Sequence, residues 1–522
     1  MTSATPDPGA APRRVFAASH DWPLHDAAAS RRIEAAALAA AAPRALMARA
    51  GLATARLARA LAPHARRVAV LVGPGNNGGD ALIAALHLQA SGLRVQALLL
   101  ADPERLPADA ADAWRQARAA ALPTIDDAAA LADADLVIDG LLGLGATRAP
   151  EASLAEAIAA ANAGAPPILA IDLPSGLAAD DGRILGEQAM RARWTLSLLT
   201  LKPGLFTAHG RDHSGEVWFD DLGAASAAVG VRPSAWLGSR AAAPAPAWVG
   251  RRHAQHKGSF GDLHVVGGAA GMQGALRLAG RAALVAGAGR VYLSPLDAGT
   301  AAPPEPELML QVRSGLDDIA RLRASTVVCG CGGGAAVRDA LPPLLAHAGR
   351  LLLDADALNA IAADPDLAAA LRQRRERGQF SVLTPHPLEA ARLLRTGTAQ
   401  VQADRLAAAQ RLAQECAAVV VLKGSGSIVA APDEIAWINA SGNAALATPG
   451  SGDVLAGFIG GLWAQAPRDD GRHAARTAVW LHGRAADLAL ERRPRHARLP
   501  LLAGDIAAAM GAVLDARPEP RP

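Results

Sequence analysis

The sequence predicts two α/β domains, each a parallel sheet with helices packed on both faces. Three observations carry this expectation. Aliphatic, strand-like runs alternate with helix-like segments along nearly the whole chain, as β–α–β units require. The alternation breaks down once, in the Ala/Pro/Gly-rich stretch at 224–250. Finally, 522 residues, 51% of them hydrophobic, are too many for one core and enough for two.

The first series opens with the alanine-rich segment 30–62, which reads as one or two helices. "RRVAVLVG" (66–73) is a continuous aliphatic run and predicts a buried strand. "GPGNNGGD" (73–80) reads as a turn, and "ALIAALHLQASG" as a helix closed by Gly92. "LRVQALLL" is the next strand and "AWRQARAAA" the next helix. Then follow the strand "ADLVIDGLLG", the helix "SLAEAIAAANAG", the strand "PPILAIDLPSG", and the strand-like "ARWTLSLLT" and "EVWFDDLG". Glycines, amides and acids cluster after strand C-termini, where open α/β sheets bind ligands. We place a first domain at 20–224, a linker at 225–250 and a second domain at 251–515. The second series begins at "GDLHVVGG", with strands in "GRVYLSP", "STVVCG", "RLLLDAD", "FSVLTP" and "AAVVVLKG". No clear sequence repeat relates the halves.

Composition narrows the function. A net charge of +3 gives no reason to expect nucleic acid or membrane as a partner. The three cysteines, Cys329, Cys331 and Cys416, form no disulfide framework and suit a reducing cytoplasm. Cys329 and Cys331 lack C-x-x-C spacing and read as small buried thiols in a glycine turn. The N-terminus has no apolar core of a secretory signal, and no run has the length and purity of a membrane span. In this arginine-rich chain only Lys202, Lys257 and Lys423 are lysines. A drift toward arginine would spare sites that need a compact ammonium; chance survival is a fair alternative for Lys202, as is a structural role, and a poorer one for Lys257 and Lys423, which flank glycine-rich segments.

Two loops carry chemistry. In "ATPGSGDVLAG" (447–457), Gly450, Ser451 and Gly452 stand at a helix start, where free N–H groups and the dipole make an anion site. Asp453 follows in the first turn. It reads either as a capping acid or as a base that takes a proton from a hydroxyl during phosphoryl transfer. No Walker A pattern occurs there. Upstream, Lys423-Gly424-Ser425-Gly426-Ser427 leaves a strand with a backbone that a ligand can approach closely. The second loop, "GPGNNGGD", departs from the dinucleotide G-x-G-x-x-G by placing two amides and an acid at the turn. The oxygens of its Asn residues, Asp80 and Asp139 are hard-cation ligands, and helix capping by Asn77 or Asp80 is the alternative.

These residues resemble a known pair of families. "KGSGS" followed by "TPGSGDVLAG" is similar to the ribokinase-like fold, a three-layer α/β/α architecture. "HKGSFGDLHVVGG", "PELM" (306–309), "VVCGCGGG" (327–334), "LDADALN" (353–359) and "LTPHPLEAARLL" (383–394) narrow the resemblance to the NAD(P)H-hydrate dehydratases. It implies dehydration of S-NADHX or S-NADPHX to NADH or NADPH at the expense of ADP or ATP, with Mg2+ on the nucleotide. The resemblance places Ala275, Gly332, His386 and Asp453 on the hydrate, with Asp453 as base. It places Lys423, Gly424, Ser425, Gly426, Ser427 and Gly452 on the nucleotide. Cys331 and Leu388 depart from the family pattern.

In the first half, "LMARAG" (46–51), "GPGNNGGD", "VIDGLLGLGATR" (137–148), "AIDLPSGL" (170–177) and "LKPGLF" (201–206) resemble the Rossmann-like NAD(P)H-hydrate epimerases. The implied activity interconverts R and S hydrates. By this resemblance Asn76, Asn77, Gly78, Gly79 and Asp80 meet the hydrate. Gly143, Leu144, Gly145, Ala146, Thr147, Arg148 and Ala149 meet its phosphates, and Asp172 is the acid–base. Asn77, Asp139 and Ser175 bind potassium. Ala48 and Ala81 depart from the pattern. A homo-oligomer is expected. The competing reading is a vitamin-type small-molecule kinase on the same fold, with a non-catalytic scaffold in front.

Overall fold

A computed structural model describes residues 11–17, 20–239, 251–297, 299, 305–311, 316–492 and 501–515. The opening segment 1–10 and the part of the expected linker at 240–250 lie outside the described residues. The chain divides into two units, with the main boundary along the chain between residues 237 and 238. None of the described helices is long and apolar enough to cross a membrane.

The strands of the first unit are β1 Arg13–Arg14, β2 Trp22–Leu24, β3 Arg67–Val72, β4 Arg94–Leu99, β5 Thr124–Ile125, β6 Leu136–Gly140, β7 Ile168–Ile171, β8 Trp194–Leu198, β9 Glu216–Asp220 and β10 Ala235–Gly238. Eight of them form one sheet in the order β1-β9-β8-β7-β6-β3-β4-β5. All pairings are parallel except β1 on β9. β2 pairs antiparallel with β10. β6 and β7 are buried along their whole length, as expected of aliphatic runs covered on both faces. Full burial of such side chains contributes roughly 1.5–3 kcal/mol each. The chain leaves β3 toward β4 on one side, while β6 lies on the other. That reversal opens a crevice at the C-terminal ends of β3 and β6.

The second unit carries β11 Asp262–Gly267, β12 Arg290–Pro295, β13 Met309–Leu310, β14 Thr326–Cys329, β15 Arg350–Leu353, β16 Phe380–Leu383, β17 Val419–Leu422, β18 Ile428–Ala430 and β19 Ala436–Asn439. Their order is β13-β12-β11-β14-β15-β16-β17-β18-β19. The sheet is parallel from β13 to β17 and continues into the expected antiparallel hairpin β18–β19. The helices Gln273–Val285 and Ser451–Ala464 pack tightly, because a Cβ on Gly457 would stand 2.0 Å from the carbonyl oxygen of Ala279. Two α/β units with largely parallel sheets are therefore present, as the alternation predicted.

Local structure differs from its sequence reading in two places. The stretch expected as linker, 225–250, contains the strand β10, which pairs with β2. The predicted turn at 73–80 ends early, and a helix runs Asn76–Ala90. Glycine disfavours helix, yet a Cβ on Gly78 would lie 2.2 Å from the Gly73 carbonyl oxygen, and one on Gly79 2.5 Å from Met47. Both glycines serve close packing inside the helix.

Candidate active sites

In the first unit a cavity of about 850 Å³ opens where the loops after β3, β6, β7 and β8 converge. Asn76, Asn77, Asp80, Gly143, Leu144, Gly145, Ala146, Thr147, Arg148, Ala149 and Asp172 line it. Gly78 and Gly79 are buried behind that wall. Gly75, not Asn77 or Asp80, occupies the helix N-cap, so capping does not account for either side chain.

Asp172 follows β7 with φ +67, a left-handed conformation that non-glycine residues rarely adopt. Leu144 N–H donates to its Oδ2 at 3.2 Å, and Leu198 N–H to its Oδ1 at 3.4 Å. The ammonium of Lys202 also donates to Oδ1. Lys202 is 1% exposed and further bound to the carbonyls of Leu198 and Thr200, each at 2.9 Å. A buried ammonium needs such partners, which speaks against chance survival of Lys202 and for a structural role, its other sequence reading. Asp80 also lines the cavity. Burial, then the negative charges of Asp172, Glu34 and Asp109, push its carboxyl well above the usual range. Glu34, on the helix Ala27–Ala40, is raised by burial and by Asp172.

Asp139 is fully buried. Ser175 donates to it through its backbone N–H (2.8 Å) and Oγ (2.6 Å), and Leu141 N–H lies at 3.2 Å. Among the described residues no cationic side chain pairs with it, and burial lifts it to about 6. Asn77 Nδ2 donates to the carbonyls of Leu142 and Ile171, and no donor among the described residues reaches its Oδ1. A buried carboxylate that no cationic side chain neutralises, beside the Ser175 hydroxyl, offers the oxygen ligands that a hard cation takes. Arg148 is exposed and pairs with Glu151 at 3.4 Å.

In the second unit the loops after β14, β15 and β17 meet the first turn of the helix Ser451–Ala464. Gly450 is its N-cap, with φ +86 and no side-chain cap. Gly450, Ser451, Gly452 and Asp453 are half-buried. Lys423 Nζ donates to Asp354 Oδ1 at 2.7 Å and lies 4.0 Å from Glu389 Oε2. Thr384 Oγ1 also donates to Asp354, at 2.7 Å. Burial disfavours the charge on Lys423, but Asp354 and Glu389 outweigh it and raise its pKa. A Cβ on Gly452 would stand 3.4 Å from that ammonium, so Lys423 borders the helix N-terminus.

Asp453 has Cys331 and Asp354 as neighbours, with one Sγ or carboxylate oxygen from each of the three within 4.8 Å of the others. Burial first, then Asp354, raises Asp453 to about 6, while the Cys331 thiol and Lys423 act the other way. The thiol itself is buried and pushed well above its ordinary value. These three groups do not fit a protein-bound metal, because the Lys423 ammonium already takes the charge-balancing position on Asp354.

His386 caps the helix Pro387–Leu393: its Nδ1 accepts from Leu388 N–H at 3.1 Å, and Glu389 Oε2 accepts from its backbone N–H at 2.7 Å. Gly332 has φ +57, and a Cβ there would be 3.0 Å from the Cβ of Ala275 and 2.7 Å from the Met272 carbonyl oxygen. In the Lys423–Ser427 loop, Gly424 covers the buried guanidinium of Arg405, Ser425 is exposed, Gly426 is buried, and Ser427 Oγ donates to the Gly424 carbonyl at 3.2 Å.

Sequence reasoning missed Glu34, Asp354, Glu389 and the Lys202–Asp172 pair. The scarcity of lysine and the segment "LKPGLF" pointed toward Lys202, but not toward its pairing with Asp172.

A model of the family described as NAD(P)H-hydrate dehydratase matches residues 263–508, and one described as YjeF-related protein N-terminus matches 43–204. A bifunctional NAD(P)H-hydrate repair enzyme of Escherichia coli (strain K12) is 39% identical over 456 residues, covering 85% of this chain and 84% of its own. That of Moorella thermoacetica is 35% identical over 478 residues, covering 84% and 86%. The solved ADP/ATP-dependent NAD(P)H-hydrate dehydratase from Bacillus subtilis, co-crystallized with ATP/Mg2+, is 30% identical. It covers 51% of this chain and 93% of its own, with a TM-score of 0.43.

Proposed function

The chain belongs to the bifunctional NAD(P)H-hydrate repair enzymes, and from that premise we propose how its two sites divide the work. It epimerises R- and S-NAD(P)HX and dehydrates the S form to NAD(P)H at the expense of a nucleotide phosphate. We assign epimerisation to 20–224 and dehydration to 251–515, with ADP as donor. We further assign the enzyme to the cytoplasm, as a homo-oligomer.

The dehydratase faces a poor leaving group. Hydroxide leaves the C6 carbon of the hydrate badly, whereas phosphate leaves well. In our reading Asp453 accepts the C6 hydroxyl proton while the hydroxyl oxygen attacks the β-phosphorus of ADP and AMP departs. Phosphate then leaves C6, a proton leaves the adjacent ring carbon, and the C5–C6 double bond of NADH forms. Lys423 and the N–H groups at Gly450–Gly452 hold the transferring phosphoryl group; the Lys423–Ser427 loop holds the rest of the nucleotide. Ala275, Gly332 and His386 wall the hydrate. Mg2+ would travel on the nucleotide, neutralising phosphate charge.

For the epimerase we assign Asp172 as the acid–base, oriented by Lys202. Asn76, Asn77 and Asp80 receive the hydrate, with Gly78 and Gly79 behind them; Gly143, Leu144, Gly145, Ala146, Thr147, Arg148 and Ala149 receive its phosphates. Potassium would rest on Asn77, Asp139 and Ser175, neutralising the buried carboxylate and fixing the loop after β6.

One observation carries the dehydratase reading: Asp453 and the Lys423 ammonium border the same half-exposed helix N-terminus. S-NADHX with ADP should yield equal amounts of NADH and AMP. Phosphate moved instead onto a hydroxymethyl compound, with no NADH formed, would establish the vitamin-type kinase.

A further inference from the structure

A second concavity of about 260 Å³ lies in the larger unit, lined by Arg251, Arg252, Gln255, His256, Lys257, Phe260, Ala288 and Gly289. It shares no residue with the site around Lys423 and Asp453. Four of its eight lining residues are basic and none is acidic. Elsewhere on this surface arginines find carboxylates, as Arg290 does on Asp262 at 2.6 Å and Arg338 on Asp364 at 2.6 Å. Among the described residues no carboxylate lies within 4 Å of the charged atoms of Arg251, Arg252, His256 or Lys257. Gathering like charges around one hollow is unfavourable unless an anion offsets it.

Part of the wall is held in place before any ligand arrives. The Arg251 guanidinium stacks over the Phe260 ring, 3.8 Å from its centroid, and donates to the Gly287 carbonyl at 2.9 Å. The turn beneath it is tied by its own backbone: Ser259 N–H donates to the His256 carbonyl at 2.8 Å, and His256 N–H donates to Ser259 Oγ at 3.4 Å. Lys257 is one of three lysines in the chain, and Lys202 and Lys423 both have built environments.

We propose that the hollow formed by Arg251, Arg252, His256 and Lys257 binds a diphosphate anion of small-molecule size, at a site separate from the nucleotide loop. Three kinds of donor converge there: two forked guanidiniums, a compact ammonium and an imidazole N–H. Guanidinium forks match phosphate oxygens two at a time, and ammonium adds a point charge. The positive charges of Arg251, Arg252 and Lys257 together exceed what a monophosphate offsets and match a diphosphate, which makes a diphosphate the recognised part of any larger nucleotide.

Isothermal titration of the full chain with inorganic pyrophosphate tests this, in the wild type, in Lys423→Met and in the double variant Arg252→Gln/Lys257→Met. All three substitutions keep the aliphatic stem, and the double variant changes exposed side chains, so its thermal melting should match the wild type. Pyrophosphate should bind the wild type and Lys423→Met. The double variant should lose this binding by about tenfold or more, while its rate of NADH formation at saturating ADP stays within about twofold. Lys257→Arg should retain the binding. Addition of ADP should compete with pyrophosphate if the diphosphate of a nucleotide is accepted; competition by orthophosphate alone would identify a monophosphate site and overturn the diphosphate assignment. No pyrophosphate binding to the wild type, undiminished binding in the double variant, or loss confined to Lys423→Met would each overturn the proposal.

Discussion

If Asp453 is the base of the dehydratase, the pH dependence of that half-reaction follows from its surroundings. Burial and the neighbouring Asp354 raise its carboxyl from an ordinary 3.8 to about 6. A base works only when ionised, so turnover should fall as pH drops through that value. About nine-tenths of the sites would be ionised at pH 7, about half at pH 6 and about a tenth at pH 5. With S-NADHX and ADP both well below saturation, so that the rate follows kcat/KM, it should therefore decline roughly tenfold between pH 7 and 5. AMP release is the better readout, because NADH is itself acid-labile. Asp354→Asn removes the second cause of the elevation and should move the acid limb to lower pH. A profile flat from pH 7 to 5, or a limb that ignores Asp354→Asn, would refute the assignment of Asp453 as base.

Other perturbations test the remaining parts. Asp139 is raised to about 6 in the fold, so at pH 7 its ionisation opposes folding by about 3 kcal/mol when no cation is bound. The sign is that of a raised acid: stability grows as pH falls through 6 toward 3.8. Melting in potassium-free buffer should accordingly improve on mild acidification, potassium should raise the melting temperature at pH 8, and Asp139→Asn should remove both effects. Lys202→Met should lower epimerisation about a hundredfold without touching dehydration of the S form, and adding Asp172→Asn should cost little more, because the two side chains act as one unit. Arg374 is fully buried and donates to the carbonyls of Leu344, Leu345, Ala348 and Phe380. Arg374→Ala leaves those acceptors unpaired and should destabilise the fold by about 3 kcal/mol or more in denaturant titration.

Much of the architecture was legible because β3, β6, β14, β15 and β17 are aliphatic runs covered on both faces, which leave an uninterrupted apolar signature. The hairpin after Lys423 and the burial of Cys329 and Cys331 were readable for similar reasons. The start of the helix at Asn76 was hidden, since its glycines speak for a turn locally and are overruled by packing against Met47 and Gly73. Site residues carried by a glycine-rich loop could be named from the loop itself, as with Asp453 and Asp80. Their partners could not. Lys202 lies 30 positions from Asp172 and reaches it only because β7 and β8 are neighbours. Asp354 meets Lys423 across 69 positions through the order β15-β16-β17. Glu34 looks in sequence like one more polar residue on an alanine-rich helix. Pairing across strands sets these charges, and a single sequence does not reveal it.

The most direct measurement of the central claim is the progress curve of NADH formation from an equal mixture of R- and S-NADHX with excess ADP, comparing the wild type with Asp172→Ala. Two cooperating sites predict that the wild type converts the whole mixture. The variant should produce a rapid burst equal to the S fraction, followed only by the slow drift of uncatalysed epimerisation. Identical curves for both proteins would contradict the assignment of Asp172, and absence of NADH from the wild type would contradict the account as a whole.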